Sequence, residues 1–453
     1  MSLLVFMLVA ASLWAAGRGA LLLAVPRVVV PLPRELRWCL GWVAGLLLLT
    51  ALLEGLHFLG LRWTLLSVGV PLLLLGALGL RVRPPMPWGR SEPLGWGDAL
   101  AAAAVAVLAV ACLCWLATNP DFIYHWGIKG HRYFLVGGFD LDYLIRPWNR
   151  LSHPEYPPLL PGLFAATALA VGAFDEAVLL LWTPLTVLAL LAAARGLLAQ
   201  AGVEAFHRQA GVAILGLVGA FFSVGALLAG GPDPFLALAL MLGGVALVRG
   251  GSLSQAQRDL CLALAAALAA VAKLEGLPLA VFLVAVYGVE LKAWRGREAW
   301  KRLLTVGSPA ALVSLPWLWI CWRHGLFGRP NAGAFEWGHA KAIFGAVGKA
   351  VVHSHWHGVA VFALAATPLL LWNRRLRAWV SIPCLQLGLY LWVYFTSANA
   401  PERQVQLSLP RILFHLVPAL LVAVVLAADR WAEGDEAPAA PESVSSVQRP
   451  RPM

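Results

Sequence analysis

The chain has 453 residues, 60% hydrophobic and 13% charged, with a mean hydropathy of +0.77. That is more apolar surface than one soluble core can hide, so it reads as a membrane protein. The net charge of +11 arises from short basic clusters between apolar runs, which is how topology signals are spread, so no nucleic-acid partner is expected. The six cysteines (Cys39, Cys112, Cys114, Cys261, Cys321, Cys384) lie in or beside apolar runs without paired spacing, which argues against a disulfide framework and a zinc site.

Runs able to cross a bilayer are expected at Leu3–Leu23, Leu40–Phe58, Trp63–Leu80, Ala99–Ala117, Ala177–Leu198, Ala210–Leu228 and Phe235–Val248. Six more follow at Leu260–Ala272, Leu277–Leu291, Leu303–Trp322, Val359–Trp372, Trp379–Phe395 and Ile412–Ala428. The fold class is therefore an all-α polytopic membrane protein of about thirteen transmembrane helices, several of them short for a hydrocarbon core of about 30 Å. The first run lacks a basic flank and a cleavage site and is taken as a retained span.

The stretch "HPEYPPLLPGLF" opens a further apolar segment, Pro157 to Phe174. If it does not cross, about 21 Lys and Arg collect on one side against about 12 on the other, and those 12 sit mostly in two long loops. If it crosses, "KAWRGREAWKR" and "RRLR" move to the side opposite Arg81 and Arg83, which the positive-inside rule disfavours. The segment is thus expected to be re-entrant or to lie along the interface, against protein or a wet cavity.

Three regions result: N-terminal transmembrane helices at 1–98, a transmembrane module at 99–428 with an outer loop at 118–156, and a disordered cytoplasmic tail at 429–453. The tail is rich in Glu, Pro, Ala and Ser. The N-terminus is expected outside and the C-terminus inside, and the Ala-, Leu- and Arg-rich usage suits a bacterial inner membrane.

The ionisable residues near the hydrocarbon boundary gather on the outer side. Asp121 follows the fourth span, where partial desolvation makes a carboxylate a better base; a salt bridge to Lys129 or Arg132 is the alternative. "FIYHWGIKGHRYF" mixes aromatics with His125, Lys129, His131 and Arg132 as an interfacial amphipathic helix does. His153, Glu155 and Tyr156 offer hydrogen bonds at the mouth of the Pro-rich segment, so the opening stretch reads as one wall of an outward cavity.

Asp233 lies between two prolines at an outward turn, and Lys273 with Glu275 at the next, where they either neutralise each other or serve a ligand. Arg403 and Arg411 precede the last span, Arg411 with His415 one helical turn deeper; a guanidinium there snorkels or binds a lipid phosphate. Glu54 and His57 are spaced to pair within the second span. "HSHWH" (His353, His355, His357) lacks nearby carboxylates, so no metal ligand is assigned, no cofactor is certain and a divalent metal requirement stays open.

Together, an acid just after a span, the "HPEYPPLLP" entry, the acid of the next outward turn and the final "RILFHLVP" helix resemble the GT-C superfamily of polytopic glycosyltransferases. The likeness is greatest to the branch of lipid A aminoarabinose transferases, protein O-mannosyltransferases and the RgtA/B/C/D-like domain, and it covers roughly 99–428. It implies sugar transfer from a polyprenyl-phosphate donor to a glycan, lipid or protein acceptor at the outer face, with Asp121 catalytic and Asp233 assisting. Many relatives pair two acids in the first loop, whereas Phe122 follows Asp121 here; Asp140 with Asp142 is the alternative base pair.

On physical grounds a lipid-linked donor keeps its tail among membrane lipids and its phosphate at the interface. Arg411, Lys273 or Arg403 would then stabilise the departing charge. Lys129, His153, Glu155, Tyr156 and Glu275 would line the substrate cavity. A transporter or flippase of an amphipathic solute is the competing reading, although mid-span ionisable residues are scarce; an inactive scaffold subunit of envelope assembly is the third.

Overall fold

The computed structural model describes residues 1–82, 93–114, 120–222, 230–327, 334–353, 358–397 and 400–432. These are almost entirely helical, with no strand among them. We number the helices of ten or more residues in chain order. They are α1 (Ser2–Ala24), α2 (Arg34–Phe58), α3 (Leu65–Arg81), α4 (Trp96–Cys114), α5 (Gly127–Val136), α6 (Leu159–Val171), α7 (Trp182–Gln200) and α8 (Ala205–Leu217). The second half adds α9 (Asp233–Leu247), α10 (Gln255–Ala272), α11 (Gly276–Glu290), α12 (Arg297–Arg323), α13 (Ala340–His353), α14 (Val359–Trp372), α15 (Arg377–Phe395) and α16 (Pro401–Ala432).

Seven helices are long and apolar enough to cross a membrane: α1, α2, α4, α7 with the turn before it, α12, α15 and α16. Each of the other expected runs coincides at least in part with a described helix, but α3, α9, α11 and α14 are shorter, so helix length does not carry the count of thirteen. The 15 residues of α9 rise only about 22 Å, held between its opening Asp233-Pro234 and the extended Val248. Ser254 and Gln257 cap α10 reciprocally.

The α1–α2 contact depends on missing side chains. A Cβ on Gly17 would lie 2.1 Å from Gly41 O, and one on Gly45 2.1 Å from Leu13 O. Small residues let two backbones close on each other where lipid tails give helices no hydrophobic reason to associate.

The Pro-rich segment ends up inside protein. Helix α6 spans about 20 Å, and its residues Leu159 to Ala168 are buried. Both its ends stay beside α5: a Cβ on Gly130 would press on Phe164 and Pro161, and Phe174 packs its ring against His131, centroids 4.8 Å apart. The irregular backbone is thus shielded by neighbouring helices.

Charge separates to the two ends of the bundle. Helix α9 starts with Asp233 and leads at its other end to Arg249, which pairs with Glu290. At that second end Arg195 binds Glu35 and Asp98, and Arg375 donates to the carbonyl of Ala201 at 2.8 Å. Helix α16 continues through 429–432, so the first residues of the expected tail are helical; 433–453 lie outside the described residues.

Candidate functional site

Asp121, Lys129, His153, Glu155, Tyr156, Asp233, Lys273, Glu275 and Arg411 come from five separate segments and meet at the Asp233 end of the bundle. Asp121 precedes a π-helical turn at Phe122–Trp126, which aims its carboxylate at α16. Its Oδ2 accepts an ion-pair contact from Arg411 Nη1, and its Oδ1 lies 3.8 Å from His125 Nε2. The expected partners Lys129 and Arg132 are engaged elsewhere. Arg132 grips Asp140 (2.5 Å), whose other oxygen caps the turn at Tyr143, and Asp142 is exposed. Asp140 and Asp142 therefore do not form a paired-acid site.

One turn beyond Arg411, His415 Nε2 lies 2.7 Å from Asp233 Oδ1 and its Nδ1 2.8 Å from the Tyr390 hydroxyl, which accepts from Gln386. Lys273 Nζ completes the pairing of Asp233 at 3.4 Å and reaches Glu275 at 3.5 Å. Asp233, Lys273 and His415 are buried, and Asp233 heads α9, where the helix dipole favours a carboxylate. The turn carrying Lys273 and Glu275 is tight because Gly276 rests on α10; a Cβ there would meet Ala269 O at 1.9 Å.

Glu275 Oε1 accepts from the Tyr156 hydroxyl at 3.4 Å, while its Oε2 is buried and has no partner among the described residues. Tyr156 stacks between Trp126 (5.3 Å) and His153 (4.7 Å), and His153 packs edge-on against His125. Contacts join Arg411, Asp121, His125, His153, Tyr156, Glu275, Lys273, Asp233 and His415 in series, and because Arg411 and His415 lie one helical turn apart on α16 the groups form a ring. Asp121, His125, Arg411, Glu275 and His153 form its partly accessible rim.

Lys129 lies beneath the aromatic stack, fully buried, donating to the carbonyl of His153 at 2.9 Å with its ammonium 4.9 Å from the Trp126 ring. Burial pulls it down to about 7, against the opposing attraction of Glu155. His153 adopts φ +48°, left-handed backbone that is costly for a residue with a Cβ. The turn is held by that lysine and by Trp317 Nε1, which donates to Glu155 O at 3.0 Å. Glu155, accepting from His153 at 3.1 Å, is held below the ordinary carboxylate range: burial acts to raise it, but the His153 hydrogen bond and the positive charges outweigh that.

Pro157 and Pro158 are buried, and with Glu54, Ser314 and Trp317 they line a cleft without room for a water molecule rather than the expected wall of an outward cavity. Glu54 is buried with Oε1 unpartnered among the described residues, and His57 rests on Phe139. Arg403 is exposed on α16, two turns or about 12 Å before Arg411.

An apolar groove of about 480 Å³ opens elsewhere, between α8, α14 and α16. Glu204, His207 and Asp429 bring ligand-type atoms within 4.8 Å of one another at the opposite end. There Asp429 Oδ1 already accepts from the Glu204 amide (3.0 Å) and meets His207 (2.8 Å), which ties α8 to α16. His355 and His357 of "HSHWH" lie outside the described residues.

Sequence reading missed Trp126, Trp317, Gln386 and Tyr390 as site components. Gln386 and Tyr390 are spaced i,i+4 within an apolar run, the detectable signal of a polar stripe on one helix face. The tryptophans had none, since aromatics at span ends read equally as interfacial anchors. No protein-family model, curated protein or solved structure matches the chain.

Proposed function

We propose that the protein is an integral-membrane glycosyltransferase that moves a sugar from a polyprenyl-phosphate donor to an acceptor hydroxyl at the face bearing the polar ring. The observation that carries this reading is the partly accessible pairing of an acid with a guanidinium, Asp121 with Arg411, at the rim of a ring whose Asp233, Lys273 and His415 are buried and mutually paired. Such a rim supplies both halves of an inverting displacement. Asp121 accepts the acceptor's proton while the acceptor oxygen attacks the anomeric carbon; positioned base catalysis is worth about 10²- to 10⁴-fold. The sugar–phosphate bond breaks with its electrons leaving on the phosphate, where Arg411, with Lys273 behind it, offsets the charge.

Asp233 and His415 are positioning residues in this scheme, since their mutual contact sets the orientation of α16 and so of Arg411. His153, Glu155, Tyr156 and Glu275 contact the sugar or acceptor, and Arg403 meets lipid headgroups or donor phosphate at the rim. In the arrangement we favour, the ring faces outward from a bacterial inner membrane, the N-terminus is outside and the acceptor is a glycan, lipid or protein.

The deciding experiment is transfer of radiolabelled sugar from a panel of polyprenyl-phosphate sugars to membrane acceptors by the protein reconstituted in liposomes. Transfer is expected with the native chain and at least 10²-fold less with Asp121→Asn. Movement of the donor across the bilayer without transfer would overturn the reading in favour of a flippase.

A further inference from the structure

Arg411 is bound to a carboxylate in the structure, yet the proposed reaction requires it for a phosphate. The same contact occupies Asp121, and a carboxylate whose lone pair is held by a guanidinium is a poor proton acceptor. Both partners of the chemistry are therefore engaged with each other. The pair is also incomplete: Nη1 meets Asp121, but Arg411 Nε is buried and has no hydrogen-bond partner among the described residues. A guanidinium presents five N–H groups in a planar fork, and a phosphate, with several acceptor oxygens, satisfies that fork more fully than one carboxylate oxygen does.

The backbone on one side of the pair is anchored. His415, one turn along α16, is buried against Asp233 and Tyr390, so Arg411 stays in place. Asp121 is partly accessible and stands at a π-helical turn, a local helix distortion frequent at functional sites.

We propose that Asp121 and Arg411 form a substrate-exchanged latch: a lipid-borne phosphate takes Arg411 from Asp121, and only then does the carboxylate serve as base. The nature of the ligand rests on the glycosyl-transfer reading; the exchange rests on the contact. Binding is then ordered, donor before acceptor, and the base is masked against activating water while no donor is present. In the exchanged state the acceptor's proton passes to Asp121, the new bond forms from the acceptor oxygen to the anomeric carbon, and the phosphate leaves with the bonding electrons against Arg411.

The test is a double-mutant cycle on binding of polyprenyl monophosphate to the full chain in zwitterionic nanodiscs, with inorganic phosphate as a second probe. Asp121→Asn should bind the lipid phosphate about tenfold tighter than the native chain, because Arg411 is released. Arg411→Gln should bind it at least tenfold more weakly, and adding Asp121→Asn to Arg411→Gln should give no gain. Arg411→Lys, which keeps the charge but loses the fork, should fall between the two and serves in place of Arg411→Gln if that variant does not fold. An equal gain in both backgrounds would mean that Asp121 merely repels phosphate, and weaker binding by Asp121→Asn would make it part of the phosphate site; either overturns the latch. The full pattern with inorganic phosphate but not with the lipid would uphold the latch and overturn the lipid-donor reading. Binding of neither probe to any variant overturns both.

Discussion

His153 shows how much strain one residue carries at this site. Its φ of +48° costs about 1–3 kcal/mol for a side chain with a Cβ. His153→Gly should leave stability nearly unchanged and His153→Val should lower it by about 1–3 kcal/mol, read by thermal unfolding in detergent. Lys129 makes a second, pH-dependent statement. Burial holds it at about 7 against an ordinary 10.5, so between those values the unfolded chain binds more protons than the folded one. Stability therefore rises with pH across about 7 to 10.5 and is lowest below that window. In Lys129→Met this rise should flatten, measured by midpoints at pH 6.5 and 9.5; an unchanged slope would mean the ammonium is not desolvated. "FIYHWGIKGHRYF" showed the amphipathic helix, but nothing local announced that Lys129 points inward, because that depends on the His153 carbonyl 24 positions away.

At the scale of elements, two contacts fix how helices meet. The α1–α2 approach leaves no space for a Cβ at Gly45, so Gly45→Leu should destabilise by about 1–3 kcal/mol or abolish the folded monomer, read by size exclusion and unfolding. Breaking the buried His415–Asp233 contact with Asp233→Ala removes one partner of a paired, desolvated group, and about 3–5 kcal/mol should be lost. Asp233→Asn, which keeps a hydrogen bond to His415, should lose less. Helix positions were readable from hydropathy, since each expected run meets a described helix. Their lengths were not: the shortness of α9 and the course of α6 alongside α5 follow from turns and packing rather than from composition.

Across the whole molecule, the polar ring occupies one end and the Arg195, Arg249 and Arg375 contacts the other. The proposed orientation is checked by single cysteines in a background lacking the exposed Cys114. An impermeant maleimide added to intact cells should label a cysteine at Tyr124 and leave one at Lys301 unlabelled until the membrane is opened. The reverse pattern would place the ring inside and rule out an outward-facing reaction.

Composition and hydropathy alone determined that the chain belongs in a membrane and where most of its helices lie, although α13 was not among the expected runs. These properties are local: a run of apolar residues is costly to leave in water whatever surrounds it. The partners of Asp121, Asp140, Asp233 and Lys129 were decided only by the tertiary structure. Each pairing joins a residue to another segment or to the far end of its own loop, and the docking of helices sets which charges are neutralised and which are left at the rim. Asp121 is the clearest case, its sequence neighbours offering Lys129 and Arg132 while the fold supplies Arg411.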